Sequence, residues 1–172
     1  SIYSVANTIR SVMTKEATDF AKSANHVALQ NQMKKVLANG YVFYYKAHAF
    51  HWNIEGGNFP QYHEFLEKIY TTVYEKLDAT AEQIRAIGGY APGSLTGLIR
   101  VSSVKESEIM TLVPESMFNE LSVDNDLLIA DMVTAYKLAE KAEELGLSNY
   151  LQDRINDHKK LGWMIASTIK GE

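Results

Sequence analysis

Residues 24–52 read ANHVALQNQMKKVLANGYVFYYKAHAFHW, and this stretch decides the fold. Its apolar side chains recur every three or four residues, which is the period of one face of an α-helix. The chain continues as NIEGGNFP (53–60), where two adjacent glycines indicate a helix stop, and where Asn58 and Pro60 are typical of the start of a new helix. A long amphipathic helix and a tight turn are therefore predicted. The predicted core positions of this helix are Leu29, Met33, Val36, Leu37, Gly40, Phe43, Ala47 and Phe50.

Three more long helices are predicted downstream. Each carries apolar residues at helical spacing along one face and is bounded by a glycine or a capping residue. They run from about residue 58 to Gly88-Gly89, from about Met117 to Leu145, and from the capping residue Ser148 onward.

The connection between the two helix pairs is long. Residues 90–115 contain two of the three prolines, and residues 94–101 within them are expected to form a short helix. Two helix pairs joined by one long crossover predict an all-α, ferritin-like four-helix bundle. Residues 1–23 are only weakly periodic, so we expect an N-terminal arm of one or two short amphipathic turns, with the bundle spanning residues 24–172.

Composition limits the classes of function. The chain has 172 residues, enough for one domain with a substantial core, and no cysteine, which excludes disulfides and thiol chemistry. No apolar run is long enough to cross a bilayer, and residues 1–10 lack the apolar core of a signal peptide, so a cytoplasmic protein without a membrane segment is expected. The formal net charge is −4 without a dense Lys/Arg run, which argues against tight nucleic-acid binding.

The second helix carries a separate set of residues of the types that bind metals. His63, Glu67, Asp78 and Glu82 fall on a face away from the predicted core of that helix. A solvated charged face is the ordinary explanation of such a pattern. The same face also carries Tyr74, and aromatic surface between two acidic clusters is more typical of a subunit contact.

The spacing of these residues excludes a site made by one helix alone. His63 and Asp78 are separated by about 22 Å along a helix, whereas metal–ligand bonds are about 2 Å long. An antiparallel copy related by a two-fold axis would place His63 and Glu67 of one chain beside Asp78 and Glu82 of the other. A metal site built from these residues therefore requires a dimer and occurs twice in it.

The first helix ends with a second histidine pattern, His48-x-x-His51. It fits a ligand pair, a core histidine beside a surface one, or two hydrogen-bonding residues, and the spacing leaves all three open. Residues 63–67 (HEFLE) approach the His-Glu-x-x-His pattern of zinc proteases, but Glu67 stands where the second histidine is required. No histidine in the chain has the Glu-x-x-His spacing, so an intrasubunit di-iron centre of that kind is excluded.

Several uncommon residues at fixed spacings mark residues 46–90. The segments are KAHAFHWNIEGGNF (46–59), His63-Glu64, Asp78, Ala81-Glu82 and IGGY (87–90). In order and spacing they resemble the pattern of the Dps family, the mini-ferritins. A weaker likeness extends to Gly162-Trp163-Met164 in the last helix.

The resemblance implies a shared ferroxidase site. The ligands would be His51, His63 and Glu67 of one subunit with Asp78 and Glu82 of its two-fold mate. It also implies oxidation of Fe(II) by hydrogen peroxide, or more slowly by oxygen, and storage of ferric mineral in a hollow dodecameric shell that protects against oxidative damage. Imidazole and carboxylate suit Fe(II), and zinc is a competitor for the same ligands. The supporting residues beside the ligands would be Trp52 and His48.

Two departures from the family pattern affect secondary features. Gln83 replaces the usual arginine after Ala-Glu, which removes a nearby salt bridge rather than a ligand. Leu147 stands where an aspartate is usual, so the acidic lining of an iron-entry pore falls to other residues. Asp153 and Asp157, one helical turn apart, are the candidates.

The N-terminal arm is poor in cations, unlike the lysine-rich tails of DNA-condensing Dps members. Weak or absent DNA binding is therefore expected. A protein that chiefly coats DNA and a structural or metal-sequestering bundle holding zinc stay open as alternative functions. The cations of the arm are Arg10, Lys15 and Lys22.

Overall fold

The computed structural model describes residues 1–170, except for the side chain of Ala21. Across these residues the chain forms six helices and no strand, and residues 171 and 172 of the expected bundle lie outside the described part. The helices are α1 (Ile2–Asn53), α2 (Phe59–Tyr74), α3 (Leu77–Ala86), α4 (Leu95–Val101), α5 (Pro114–Lys141) and α6 (Leu145–Ile169). Four helical segments surround one apolar core. They are the second half of α1, the pair formed by α2 and α3, then α5, and finally α6.

The expected arm is helical along its whole length, so the prediction of one or two short turns was wrong. Helix α1 begins at Ile2, with Ser1 as its N-cap, and continues without interruption into the bundle. The residues before Gly40 include no glycine and no proline, so nothing stops the helix there. Residues 1–20 are all exposed, so the weak apolar periodicity reflects a helix that buries nothing within this chain.

The single second helix predicted from the sequence is divided in two. Helix α2 ends at Tyr74 and α3 begins at Leu77, with Glu75 and Lys76 in a turn between them. At the turn, the backbone N–H of Lys76 bonds the carbonyl of Val73 (3.1 Å), three residues back, so the backbone is tighter than in an α-helix. Both helices still pack their apolar faces on α1.

The turn between α5 and α6 also differs from the prediction, which placed it at Gly146 with Ser148 as the cap. The chain turns at Glu143, which has a left-handed φ of 59°. The backbone N–H of Glu144 then reaches the carbonyl of Ala139 (2.9 Å), a Schellman-type ending that satisfies a free helix carbonyl. Helix α6 therefore begins at Leu145, before the expected glycine stop.

The crossover contains the short helix expected at residues 94–101. Ser94 caps α4 by accepting a hydrogen bond from the Gly97 backbone N–H (3.1 Å). Just after α4, the Ser103 hydroxyl donates to Asp131 Oδ2 (2.6 Å), and the Asn39 amide donates to the same oxygen (2.7 Å). The Ser103 backbone N–H also donates to Asn39 Oδ1 (2.7 Å), so Ser103 attaches the crossover to both α1 and α5. None of the helices in residues 1–170 has the length and apolar character needed to span a bilayer.

Candidate metal site

The turn between α1 and α2 brings His51 and His63 together. The backbone N–H of buried Ile54 makes the last helical bond of α1, to the carbonyl of Phe50 (2.8 Å), and α1 ends there because Ile54 itself has an extended backbone with ψ 141°. Gly56 has a φ of 130°, a conformation that side chains rarely adopt, and it lets the chain reverse within a few residues. The last turn of α1 and the first turn of α2 therefore lie side by side.

His51 and His63, the histidine pair, orient each other through backbone carbonyls. His51 Nδ1 donates to the carbonyl oxygen of His63 (2.7 Å), and His63 Nδ1 donates to the carbonyl oxygen of His51 (2.7 Å). The two rings are stacked, with centroids 3.6 Å apart and planes 13° apart. Because a carbonyl only accepts, each Nδ1 must carry the proton, and each Nε2 is left with a lone pair that can bind a metal.

Aromatic side chains surround this pair. Phe59 stacks on His63 with ring centroids 4.8 Å apart, and the edge of Tyr70 contacts His51 at 5.2 Å. Burial, and secondarily the charge of Glu67, raise the pKa of the Tyr70 hydroxyl, which is consistent with that carboxylate lying on the same side. Phe59 belongs to the quoted Asn-Phe motif, whereas Tyr70 was noticed only as a residue at the edge of the face.

His48 belongs to this aromatic layer, next to the histidine pair. Its ring lies 4.0 Å from that of Tyr70 and 4.1 Å from that of Trp52, and its Nδ1 shares a 3.0 Å hydrogen bond with the Tyr44 hydroxyl. Burial lowers the pKa of His48, and nearby His51 lowers it further. The ring packs as an aromatic residue between its two neighbours. Sequence reasoning missed Tyr44, whose only signal is its position one helical turn before His48.

One chain does not gather the predicted carboxylate ligands and the histidine pair into a single site. Glu67 is on α2, and Asp78 and Glu82 are on α3 beyond the helix break; all three are exposed. In the described part of the chain, no three His, Cys, Asp or Glu side chains gather closely enough to hold a metal ion. One subunit thus presents a pair of imidazole donors and, separately, exposed carboxylates.

The surface that carries these residues is partly aromatic. Trp52 and Tyr74 are each 55% exposed and Tyr45 is 58% exposed, although Tyr44 and Tyr70 beneath them are partly buried. Exposed aromatic side chains among carboxylates are typical of a surface that contacts another protein chain.

The two pore candidates lie on α6 in different environments. Asp153 is exposed. Asp157 is half-buried and forms an ion pair with Arg154, a residue that is itself buried in the core-facing side of the helix. Because Asp157 is already paired with Arg154, Asp153 is the more available carboxylate of the two.

Comparisons with known proteins agree on one family. A model of the ferritin-like domain matches residues 30–171, so the whole N-terminal arm, residues 1–23, lies outside the match. The DNA protection during starvation protein of Brevibacillus brevis is 29% identical over 140 residues, covering 80% of this chain and 92% of that protein.

Solved structures agree with this match. The Dps protein of Vibrio cholerae O1, described as a member of a superfamily of ferritin-like diiron-carboxylate proteins, superimposes with a TM-score of 0.81 at 28% identity, covering 86% of this chain and 92% of that one. Dps from Staphylococcus aureus gives a TM-score of 0.79 at 30% identity, covering 84% and 96%. The fold of this chain is thus that of the ferritin-like Dps bundles.

Proposed function

This chain belongs to the Dps family of ferritin-like proteins, and from that premise we propose that it is an iron-storage and detoxification protein with a ferroxidase site shared by two subunits. Its ligands are His51, His63 and Glu67 of one subunit and Asp78 and Glu82 of the two-fold mate. Iron is the substrate of this site rather than a resident cofactor.

One observation carries the proposal. Both imidazoles of the histidine pair have Nδ1 bonded to a backbone carbonyl, which leaves two Nε2 lone pairs at one place in the chain. A hydrogen bond from the ring nitrogen that does not bind the metal is the usual way in which proteins orient imidazole ligands. Two imidazoles and several carboxylates make a borderline ligand set that suits Fe(II).

A two-fold dimer supplies the missing carboxylates. The exposed aromatic surface around Trp52 and Tyr74 is the contact. Antiparallel packing across it places α3 of one chain against α2 and the histidine pair of the other, and the symmetry makes two equal sites. In the proposed assembly, six such dimers form a dodecameric shell, in which Asp153 is the leading candidate for the lining of an iron-entry pore.

The chemistry at each site is a two-electron reduction of peroxide. Two Fe(II) ions give one electron each to hydrogen peroxide, which takes two protons and leaves as two molecules of water. The Fe(III) produced is hydrolysed and stored as mineral within the shell. Because both electrons are delivered at one site, peroxide is not left half-reduced as hydroxyl radical. Oxygen serves as a slower oxidant, and zinc competes for the ligands.

Anaerobic addition of Fe(II) and then hydrogen peroxide tests this function. We expect about two Fe(II) consumed per peroxide and little hydroxyl radical detected by spin trapping. His63→Gln should lose the rapid reaction. The matched control is His26→Gln, because His26 is a partly exposed imidazole in the arm-proximal part of α1, bonded to Glu144 (3.0 Å). The proposal is contradicted if Fe(II) is oxidised no faster with the protein than in buffer alone, and with the same yield of hydroxyl radical.

A further inference from the structure

The break between α2 and α3 lies between the two halves of the proposed ligand set. Glu67 belongs to α2, whereas Asp78 and Glu82 belong to α3. The two residues of the turn, Glu75 and Lys76, are neither proline nor glycine, the residues that commonly break a helix. Neither residue of the turn therefore accounts for the break by itself.

Two hydroxyl groups gather at the backbone carbonyl of Lys76. The Thr80 hydroxyl donates to this oxygen (2.7 Å), and the Tyr150 hydroxyl donates to it at 3.3 Å. The two hydroxyl oxygens are also 2.7 Å apart, so the single proton of Tyr150 is shared between Thr80 Oγ1 and the Lys76 carbonyl oxygen. Thr80 is buried and Tyr150 comes from α6, so the bond spans the bundle. A threonine that bonds back to a carbonyl one turn earlier can bend a helix. Thr134 and Thr168 make the same bond inside uninterrupted helices, so the added hydroxyl of Tyr150 is what distinguishes this position.

Close packing fixes the start of α3 as well. A Cβ placed on Gly40 of α1 would lie 2.8 Å from Leu77 Cδ2, so the first residue of α3 already touches the backbone of α1. The position of α3 is thus set by α1 on one side and by the Tyr150 hydroxyl of α6 on the other.

Small changes in the angle at the break move the carboxylates far. Glu82 lies about 9 Å along α3 from Lys76. Turning α3 by about 10° would displace it by about 1.6 Å, which compares with a metal–oxygen bond of about 2.1 Å. In a two-fold dimer α3 of one chain faces α2 of the other, so this displacement enters both shared sites.

We propose that Tyr150 and Thr80 are positioning residues of the ferroxidase site, whose hydroxyl groups fix the angle between α2 and α3 and so the distance between the carboxylates of one chain and the histidine pair of its mate. The inference rests on the proposed function, because it requires the shared site. Neither residue touches the metal. Their effect reaches it through the helix break.

Cobalt(II) titration of the assembled protein without oxygen tests the inference, since the visible spectrum of Co(II) reports coordination geometry. Tyr150→Phe and Thr80→Val each remove one hydroxyl and keep the volume. We expect about 10-fold weaker Co(II) binding and an altered spectrum in both. Thr80→Ser keeps the hydroxyl and should restore the parent affinity and spectrum. Tyr136→Phe is the matched control, because it removes a phenol hydroxyl bonded to Glu140 (2.6 Å) on the exposed side of α5.

The outcomes separate the two proposals. If the parent binds Co(II) no better than His63→Gln does, the shared site itself is absent and both proposals fail. If the parent binds Co(II) but Tyr150→Phe and Thr80→Val keep its affinity and spectrum, only the positioning role fails. Particle mass is measured first by light scattering. If both variants fail to assemble, the two hydroxyls serve the contact between subunits, and the positioning role is likewise overturned.

Discussion

Two adjoining groups of charged and polar side chains lie inside the bundle. Lys46 Nζ lies 2.6 Å from Asp124 Oδ2 and 2.9 Å from Glu120 Oε1. Burial raises the pKa of Asp124, although the bond from Lys46 works in the opposite direction. Asp124 is followed by Asn125, whose side-chain carbonyl is 2.8 Å from His158 Nδ1. Such residues occupy core positions on helical faces and are paired by long-range contacts, which periodicity does not reveal.

His158 makes the stability of the protein depend on pH. Burial, and secondarily the charge of Arg154, lower its pKa from 6.5 to about 4. The unfolded chain therefore takes up a proton at a higher pH than the folded one, and stability is lost as pH falls from 6.5 toward 4. The loss is about 3 kcal/mol, since each pKa unit corresponds to about 1.4 kcal/mol.

Denaturant unfolding of the parent and of His158→Gln between pH 7 and pH 4 checks this prediction. The glutamine variant lacks the titrating group, so its stability should fall less with acid. His26→Gln is the control, because a backbone hydrogen bond and Glu144 raise the pKa of His26, and its contribution is instead lost as pH rises. If the unfolding free energies of the parent and of His158→Gln fall equally with acid, His158 is not held as a neutral ring in the folded protein.

Secondary-structure elements were predictable where the signal is local. The end of α1 at Asn53 and the capped short helix α4 follow from glycines and a serine cap nearby in the chain. The break between α2 and α3 was not predictable, because its two turn residues are neither glycine nor proline and the Tyr150 hydroxyl that contacts the turn is distant in sequence. The α5–α6 turn was misplaced because Glu143 adopts a backbone conformation for which glycine is the usual sign.

Gly162 of α6 gives a test of helix packing. A Cβ there would lie 2.9 Å from Asn125 Nδ2, which is fully buried and donates to the His158 carbonyl (2.9 Å). Gly162→Ala should therefore disturb this bond and destabilise the fold by about 1–3 kcal/mol. Gly146→Ala in the same helix meets no atom within 4 Å and should be neutral or stabilising by up to about 1 kcal/mol. Equal unfolding midpoints for the two variants would contradict this packing.

At the scale of the whole molecule, the sequence predicted the ligand types but not their arrangement. The resemblance named all five proposed ligands, and the spacing of His63 and Asp78 predicts that a site built from them needs two chains. The bonding of each imidazole to the other's backbone carbonyl depends on how α1 and α2 meet, which residue patterns do not encode. How two copies meet, and how many form the particle, stay predictions, because they depend on surfaces outside one chain.

The net negative charge of the protein also leads to a prediction about DNA binding. The net charge is −4, and the exposed arm carries three cations offset by Glu16 and Asp19. Gel retardation of plasmid DNA at physiological salt should show weak binding or none, because DNA affinity depends on clustered cations. The variant with Glu16→Lys and Asp19→Lys makes the arm basic and should gain salt-sensitive binding. Tight, salt-resistant binding by the parent would reveal a basic surface formed between subunits.

The most direct test of the central claim, a site shared across a two-fold axis, is complementation between two inactive variants. His51→Ala and Glu82→Ala should each lose rapid Fe(II) oxidation, because every site in either assembly lacks one ligand. Assemblies refolded from an equal mixture should recover about one quarter of the parent rate, since half of the dimers are mixed and each has one complete site. With mixing confirmed by mass spectrometry, no recovery would contradict the shared site, and parent-level activity in either single variant would contradict the ligand assignment.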